Sequence, residues 1–199
     1  MEKKDFRILV ADDDEIARDV ITSLLKREGY AVLSALDGLD AIRILRVEDI
    51  GLVITDLRMP GADGIEVLKY AVRSNPDIAV VILTAYGTLD TTLEAIKEGA
   101  YDYLTKPFKG QEMILVADRA YKRMVLLQDN KELTRHLRET YRDMEILKNV
   151  VASGHPEVTA GWLERIERLK AMSVLTENES LILKERLIKG DGKGLGSYS

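Results

Sequence analysis

Cysteine is absent from all 199 residues, which excludes disulfides, thiol redox chemistry and thiolate metal sites. Histidine is almost absent: His136 and His155 are the two, neither lies near an acidic cluster, and both read as surface residues rather than ligands or phosphoryl carriers. No apolar run approaches the ~20 residues that a membrane span needs. The opening MEKKDFRILVADDD reaches acidic residues after one short strand and lacks the apolar region and cleavage site of a signal peptide, so a cytoplasmic protein without a membrane partner is expected. Basic clusters are missing as well. Residues 1–108 carry 13 Lys and Arg against 20 Asp and Glu, residues 109–150 carry 9 against 7, and residues 151–199 carry 7 of each, so no part is basic enough to offer a cationic face to a phosphate backbone and no nucleic-acid partner is expected.

What is present is a globular composition, 46% hydrophobic and 32% charged, on a chain long enough for one domain of usual size and a smaller appendage. From Arg7 to about Met124, short apolar runs alternate five times with amphipathic stretches. The runs Ile8–Ala11, Ala31–Ala35, Leu52–Thr55, Ala79–Leu83 and Tyr101–Leu104 suit strands buried on both faces of a parallel sheet. Between and after them, Glu15–Glu28, Leu39–Glu48, Gly64–Ser74, Leu89–Glu98 and Gln111 onward read as helices, the first with a stripe of Ile16, Val20, Leu24 and Leu25. Gly29, Gly38, Gly51, Gly61, Gly87 and Gly99 fall at the joints. The order predicts a doubly wound α/β domain with right-handed crossovers.

In such a sheet, ligands bind beyond the carboxyl ends of the strands. Strand one ends in Asp12, Asp13 and Asp14, strand three in Asp56, strand four in Thr84, and strand five in Lys106 and Pro107. Singly, each has an ordinary structural reading, the acidic triplet as a helix cap with favourable dipole charge above all. Together they are a different matter, because carboxylates converging at about 4 Å repel by roughly 4 kcal/mol per pair at an effective dielectric near 20. They call for a cation. Oxygen ligands without His or Cys favour Mg²⁺, with Asp13 and Asp56 as direct ligands and Asp12 acting through water. A carboxylate beside that ion can attack phosphorus and form an acyl phosphate, with Lys106 pairing the phosphoryl oxygens and Thr84 donating to one of them.

These residues lie in RILVADDDE, LVITDLRMPGADGIEVL, AVVILTAYG and GAYDYLTKPF, through which residues 7–124 resemble the receiver domain of two-component response regulators. The last segment is similar to receivers of sigma-54-dependent activators. The resemblance implies a flavodoxin-like, five-stranded sheet of order 2-1-3-4-5 and phosphorylation of Asp56 by a sensor histidine kinase. It implies an acidic pocket of Asp12 and Asp13, a metal site completed by the Arg58 backbone carbonyl, and phosphoryl contacts from Thr84 and Lys106. It also implies Tyr103 as a switch residue moving with Thr84, and a cis Lys106–Pro107 peptide. Ala62 departs from the pattern, where a larger apolar residue is usual, and is expected to loosen its loop.

Past the receiver (1–124), residues 125–152 read as a helical linker. Leu126, Leu133, Thr140 and Leu147 at d, with Asn130, Leu137, Met144 and Val151 at a, frame about four heptads and a parallel homodimer through the helix 125–151. Ser153, Gly154 and Pro156 break that helix. Residues 153–190 then read as a hairpin of two short helices, Thr159–Met172 and Glu177–Lys189, the second opened by a Thr176–Glu179 capping box and closed by Gly190. Trp162, Leu163, Ile166 and Leu169 are expected to pack on Leu181, Leu183, Leu187 and Ile188. The hairpin resembles the small oligomerisation element called SHOCT. The tail 191–199 is glycine-rich, is expected to be disordered, and lacks the Gly-Lys-Ser/Thr order of a P-loop.

The leading expectation is a signalling switch with protein–protein output to an unnamed partner, not an enzyme with an external substrate. A DNA-binding or other transcriptional regulator acting through the C-terminal helices is the alternative. A haloacid-dehalogenase-type phosphatase would carry its nucleophile after the first strand, whereas the isolated strand-end Asp here follows the third.

Overall fold

A computed structural model of the chain describes residues 1–85, 89–153 and 159–189. Gly87, Gly154, His155, Pro156, Gly190 and the tail 191–199 lie outside the described residues, as do the side chains of Leu147, Val151 and Ile188. The chain divides into two compact units, Met1–Asp129 and Asn130–Ser199.

In the first unit a short 3-10 turn, Lys3–Asp5, precedes five β/α repeats: β1 Arg7–Ala11, α1 Glu15–Arg27, β2 Ala31–Ala35, α2 Gly38–Val47, β3 Leu52–Asp56, α3 Gly64–Ser74, β4 Ala79–Thr84, α4 Leu89–Lys97, β5 Asp102–Thr105, and the start of α5, Gly110–Ser153. The strands form one parallel sheet in the order β2-β1-β3-β4-β5. Side chains alternate across a strand. Ile8, Val10, Leu52, Ile54, Val81 and Leu83 therefore face one way, onto Ile21 and Leu25 of α1 and Met113, Val116, Ala117 and Ala120 of α5. Leu9, Val53, Val80 and Ile82 face the other way, onto Ala41 of α2, Ile65, Val67, Leu68 and Ala71 of α3, and Ala95 of α4. The doubly wound arrangement follows from these two faces, since each must be covered.

Three expectations need correction here. The central strands β3 and β4 are buried throughout and β1 beyond Arg7, but β2 and β5 are edges and only partly covered. In α1 only the second half of the expected apolar stripe is buried: Leu25 is in the core and Leu24 packs against it, but Ile16 and Val20 are 76% and 57% exposed, and Arg18 and Ile21 turn inward in their place. Ala62 does not sit loosely. It is buried, its amide donates to the Pro60 carbonyl at 2.9 Å, and it lies so close to Gly38 that a Cβ there would come within 2.0 Å of the Ala62 oxygen.

The second unit packs the remainder of α5 with α6, Thr159–Ala171, and α7, Glu177–Lys189. Its core is Trp162, Ile166, Leu169, Leu175 and Leu187, with Met144 and Leu183 against it. Leu175, in the turn, takes the place expected of Leu181, which is 60% exposed. The capping box forms reciprocally, Thr176 N–H to Glu179 Oε2 at 2.9 Å and Glu179 N–H to Thr176 Oγ1 at 3.3 Å. Of the expected heptad seam, Thr140 is buried and Met144 is packed on this core, whereas Leu133 and Leu137 are exposed. The seam cannot run for four heptads, because the hairpin covers part of it.

Candidate functional site

The strand order reverses between β1 and β3, so the crevice at the carboxyl edge lies where those two strands end. β1 runs into Asp12, which is fully buried, and β3 ends on Asp56, 8% exposed. The start of α3 is drawn tightly against this edge: Gly64 N–H donates to the Leu57 carbonyl at 3.0 Å, and a Cβ at Gly64 would lie 2.3 Å from the Asp56 carbonyl oxygen. Only glycine permits that approach. From the neighbouring strands come Thr84, also buried, and Lys106, whose backbone N–H donates to the Thr84 carbonyl at 2.7 Å.

The Lys106 ammonium lies between the two carboxylates, 2.7 Å from Asp12 Oδ2 and 2.6 Å from Asp56 Oδ1. The other oxygens are held by backbone amides, Asp12 Oδ1 by Asp14 N–H at 3.0 Å and Asp56 Oδ2 by Arg58 N–H at 2.7 Å. Burial pushes the Asp12 carboxyl above its ordinary 3.8, against the opposing pull of Lys106. Burial acts to lower Lys106, but its bonds to Asp12 and Asp56 outweigh that and raise it above 10.5. Two carboxylates and one ammonium leave a net negative pocket. Asp14 caps α1, accepting from Ile16 and Ala17 N–H, and Lys106–Pro107 is cis.

The matching family is the response regulator receiver domain, over residues 8–118. The chain belongs to this family. Its receiver is similar to the transcriptional regulatory protein ZraR of Klebsiella oxytoca, 43% identical over 113 residues, which is 57% of this chain and 26% of that protein. It is similar to a response regulator receiver domain protein of Clostridium thermocellum, with TM-score 0.58 and 37% identity over 61% of this chain and 98% of that one. It is also similar to the beryllofluoride-activated NtrC4 receiver domain dimer, with TM-score 0.56 and 31% identity over 58% of this chain and 96% of that one. The chain spans 26–28% of the length of the first curated relatives it matches.

Within the receiver, the structure joins Asp12, Asp56 and Lys106 directly and sets Thr84 at the same sheet edge. Asp13 is exposed and does not complete a three-carboxylate cluster; among the described residues no three acidic or imidazole side chains converge to hold an ion alone. A third carboxylate in the crevice would add repulsion, which exposure to water relieves. The donor set still fits a hard divalent ion. It is oxygen-only and net negative, and magnesium keeps several waters and accepts a carbonyl such as that of Arg58. Tyr103 is half-buried beside the second sheet face, its hydroxyl 3.4 Å from Thr91 Oγ1. Sequence reasoning missed Arg18, which is 7% exposed and donates from Nη1 to the Asp12 carbonyl at 2.7 Å. Its spacing with Ile21 and Leu25 was the available signal, obscured by the charge. Among the described residues no helix is long and apolar enough to cross a membrane.

Proposed function

We propose that this receiver takes a phosphoryl group from the phosphohistidine of a sensor histidine kinase onto Asp56 and signals through a change of shape read by another protein. The observation that carries this is the buried Asp56 carboxylate at the end of β3, paired with Lys106 and faced by Asp12. Arg58 N–H pins Oδ2, which leaves Oδ1 as the nucleophile. As its bond to phosphorus forms, the phosphorus–nitrogen bond breaks and the imidazole nitrogen leaves with the electron pair. Lys106, 22% exposed at its side chain, shifts from Oδ1 to the incoming phosphoryl oxygens, and the Thr84 hydroxyl donates to another. Asp12, Asp13, Asp56 and the Arg58 carbonyl would hold Mg²⁺, which when bound supplies Lewis-acid stabilisation of phosphoryl oxygens. The phosphoryl group carries about −1.5 to −2 where the Asp56 carboxylate carried −1, and its oxygens then draw Thr84 inward and let Tyr103 follow, biasing a two-state equilibrium.

Incubation with acetyl phosphate and magnesium is expected to add one phosphoryl group on Asp56, seen by intact mass and peptide mapping, and Asp56→Asn abolishes it. An unmodified wild-type chain, or modification that persists in Asp56→Asn, overturns the reading.

A second reading concerns output. Similarity to a transcriptional regulatory protein supports gene regulation as the downstream event, and tempers the expectation that no nucleic acid is involved. The charge balance of residues 151–199 favours a protein partner for this part of the chain. Similarity to an activated receiver dimer supports a homodimer as the signalling form.

A further inference from the structure

We infer that Arg18 is a positioning residue for the cation site: its buried guanidinium, by gripping the Asp12 carbonyl, sets the turn that presents Asp12 and Asp13. This rests on the reading of Asp56 as a phosphoacceptor beside magnesium.

Arginine is rarely buried without a purpose that offsets its desolvation. Position 18 lies on the core face of α1 with Ile21 and Leu25, where an aliphatic side chain would serve packing alone. Instead, Nη1 reaches back across the β1–α1 turn to a neutral backbone oxygen 2.7 Å away. The same turn is closed by Arg18 N–H to the Asp14 carbonyl at 3.0 Å and by Asp14 N–H to Asp12 Oδ1 at 3.0 Å. Asp12 is thus held at its carbonyl by one cation and at its carboxylate by another, Lys106.

The consequence reaches Asp13. The Asp12 carbonyl and the Asp13 N–H belong to one planar peptide unit, so fixing the carbonyl fixes the plane from which the Asp13 side chain departs. Asp13 is exposed, and the turn rather than side-chain packing must aim it. Groups that orient the ligands of a metal typically change its affinity 10–100-fold when removed.

The test uses the full chain with Arg18→Met, which keeps length and loses every donor, and Arg18→Lys, which keeps a cation with one compact head. Magnesium affinity is read without any phosphodonor, from the shifts of the Asp13 and Asp14 amide resonances during a titration with magnesium alone. Thermal unfolding is recorded beside it. Arg18→Met is expected to weaken magnesium about tenfold, while acetyl phosphate still labels Asp56 near the wild-type rate once magnesium is saturating. Arg18→Lys falls between. Unchanged or tighter magnesium binding in a folded Arg18→Met overturns the inference, since a residue acting only on stability or by charge repulsion would behave so. If Arg18→Met does not fold, Arg18→Lys decides alone, by weakened or unaltered affinity. A wild type that binds magnesium but takes no phosphoryl group on Asp56 fails the proposed function instead, and leaves the affinity comparison standing.

Discussion

Lys3, Tyr30 and Asp118 show how three residues distant in the chain tie its beginning to α5. Asp118 accepts the Lys3 ammonium at 2.8 Å and the Tyr30 hydroxyl, Lys3 lies 4.6 Å above the Tyr30 ring, and Tyr121 donates to the Met1 carbonyl at 2.7 Å. The Lys3 and Tyr30 hydrogen bonds hold the Asp118 carboxyl below its ordinary 3.8. Burial and the bond to Asp118 push the Tyr30 hydroxyl well above its ordinary 10.0. A lowered carboxylate stabilises the fold above its unfolded value and loses that contribution as pH falls through the folded one. A raised phenol stabilises below its unfolded value and loses the contribution as pH rises through the folded one. Asp118→Asn should therefore cost about 1 kcal/mol in urea unfolding at neutral pH. The difference from wild type should shrink below pH 3.8 and again above 10.0; a pH-independent difference would show that the ionised cluster is not its source. At Tyr103, the proposed inward movement with Thr84 predicts that the emission of a Tyr103→Trp variant changes on adding beryllofluoride and magnesium. A spectrum that stays the same in protein competent for Asp56 phosphorylation counts against the switch.

At the scale of elements, periodicity located nearly every helix and strand but misjudged how they sit. Hydrophobicity alone drew the stripe of α1 through Ile16, Val20, Leu24 and Leu25, of which Leu24 and Leu25 line the core. The buried face runs through Arg18, Ile21 and Leu25: the two apolar residues enter the core, and the turn before the helix offers the Arg18 guanidinium the Asp12 carbonyl. The α6–α7 turn holds a different tension. Ser173 adopts φ 57°, the left-handed region, where its N–H reaches the Lys170 carbonyl at 2.9 Å and the Val174 N–H reaches Leu169 at 3.0 Å. A Cβ in that region costs roughly 1–2 kcal/mol. Ser173→Gly is expected to recover about 1 kcal/mol of that cost after glycine's added chain entropy is subtracted, so the melting of the second unit, followed by the emission of Trp162, should move to higher temperature. A lower melting point would mean the serine side chain contributes more than its conformation costs.

At the scale of the whole molecule, exposed leucines on α5 set the expectation for association. Within the second unit, Leu133 and Leu137 are 58% and 48% exposed on α5, before Thr140 and Met144 turn to the hairpin. Burying a leucine is worth about 1.5–3 kcal/mol. If a second copy covers this shortened seam, Leu133→Glu should weaken the homodimer by roughly 10–100-fold in light scattering and leave Asp56 phosphorylation by acetyl phosphate intact. Identical masses for wild type and variant across concentrations, with and without beryllofluoride, would remove the seam from the interface.

Sequence alone determined the alternation of strands and helices and which chemical groups stand at four of the strand ends, because both are written locally: continuous apolar runs, period-3.6 hydrophobicity, glycines at joints, and acidic, hydroxyl and ammonium groups at the ends of β1, β3, β4 and β5. Tertiary structure alone decided that Lys106 pairs with Asp12 and Asp56 while Asp13 stays in water, that a charged residue faces the core at Arg18, and that the hairpin covers Thr140. Each of these depends on which distant group competes for a side chain in three dimensions, and burial, repulsion and reach settle that competition only once the elements are packed.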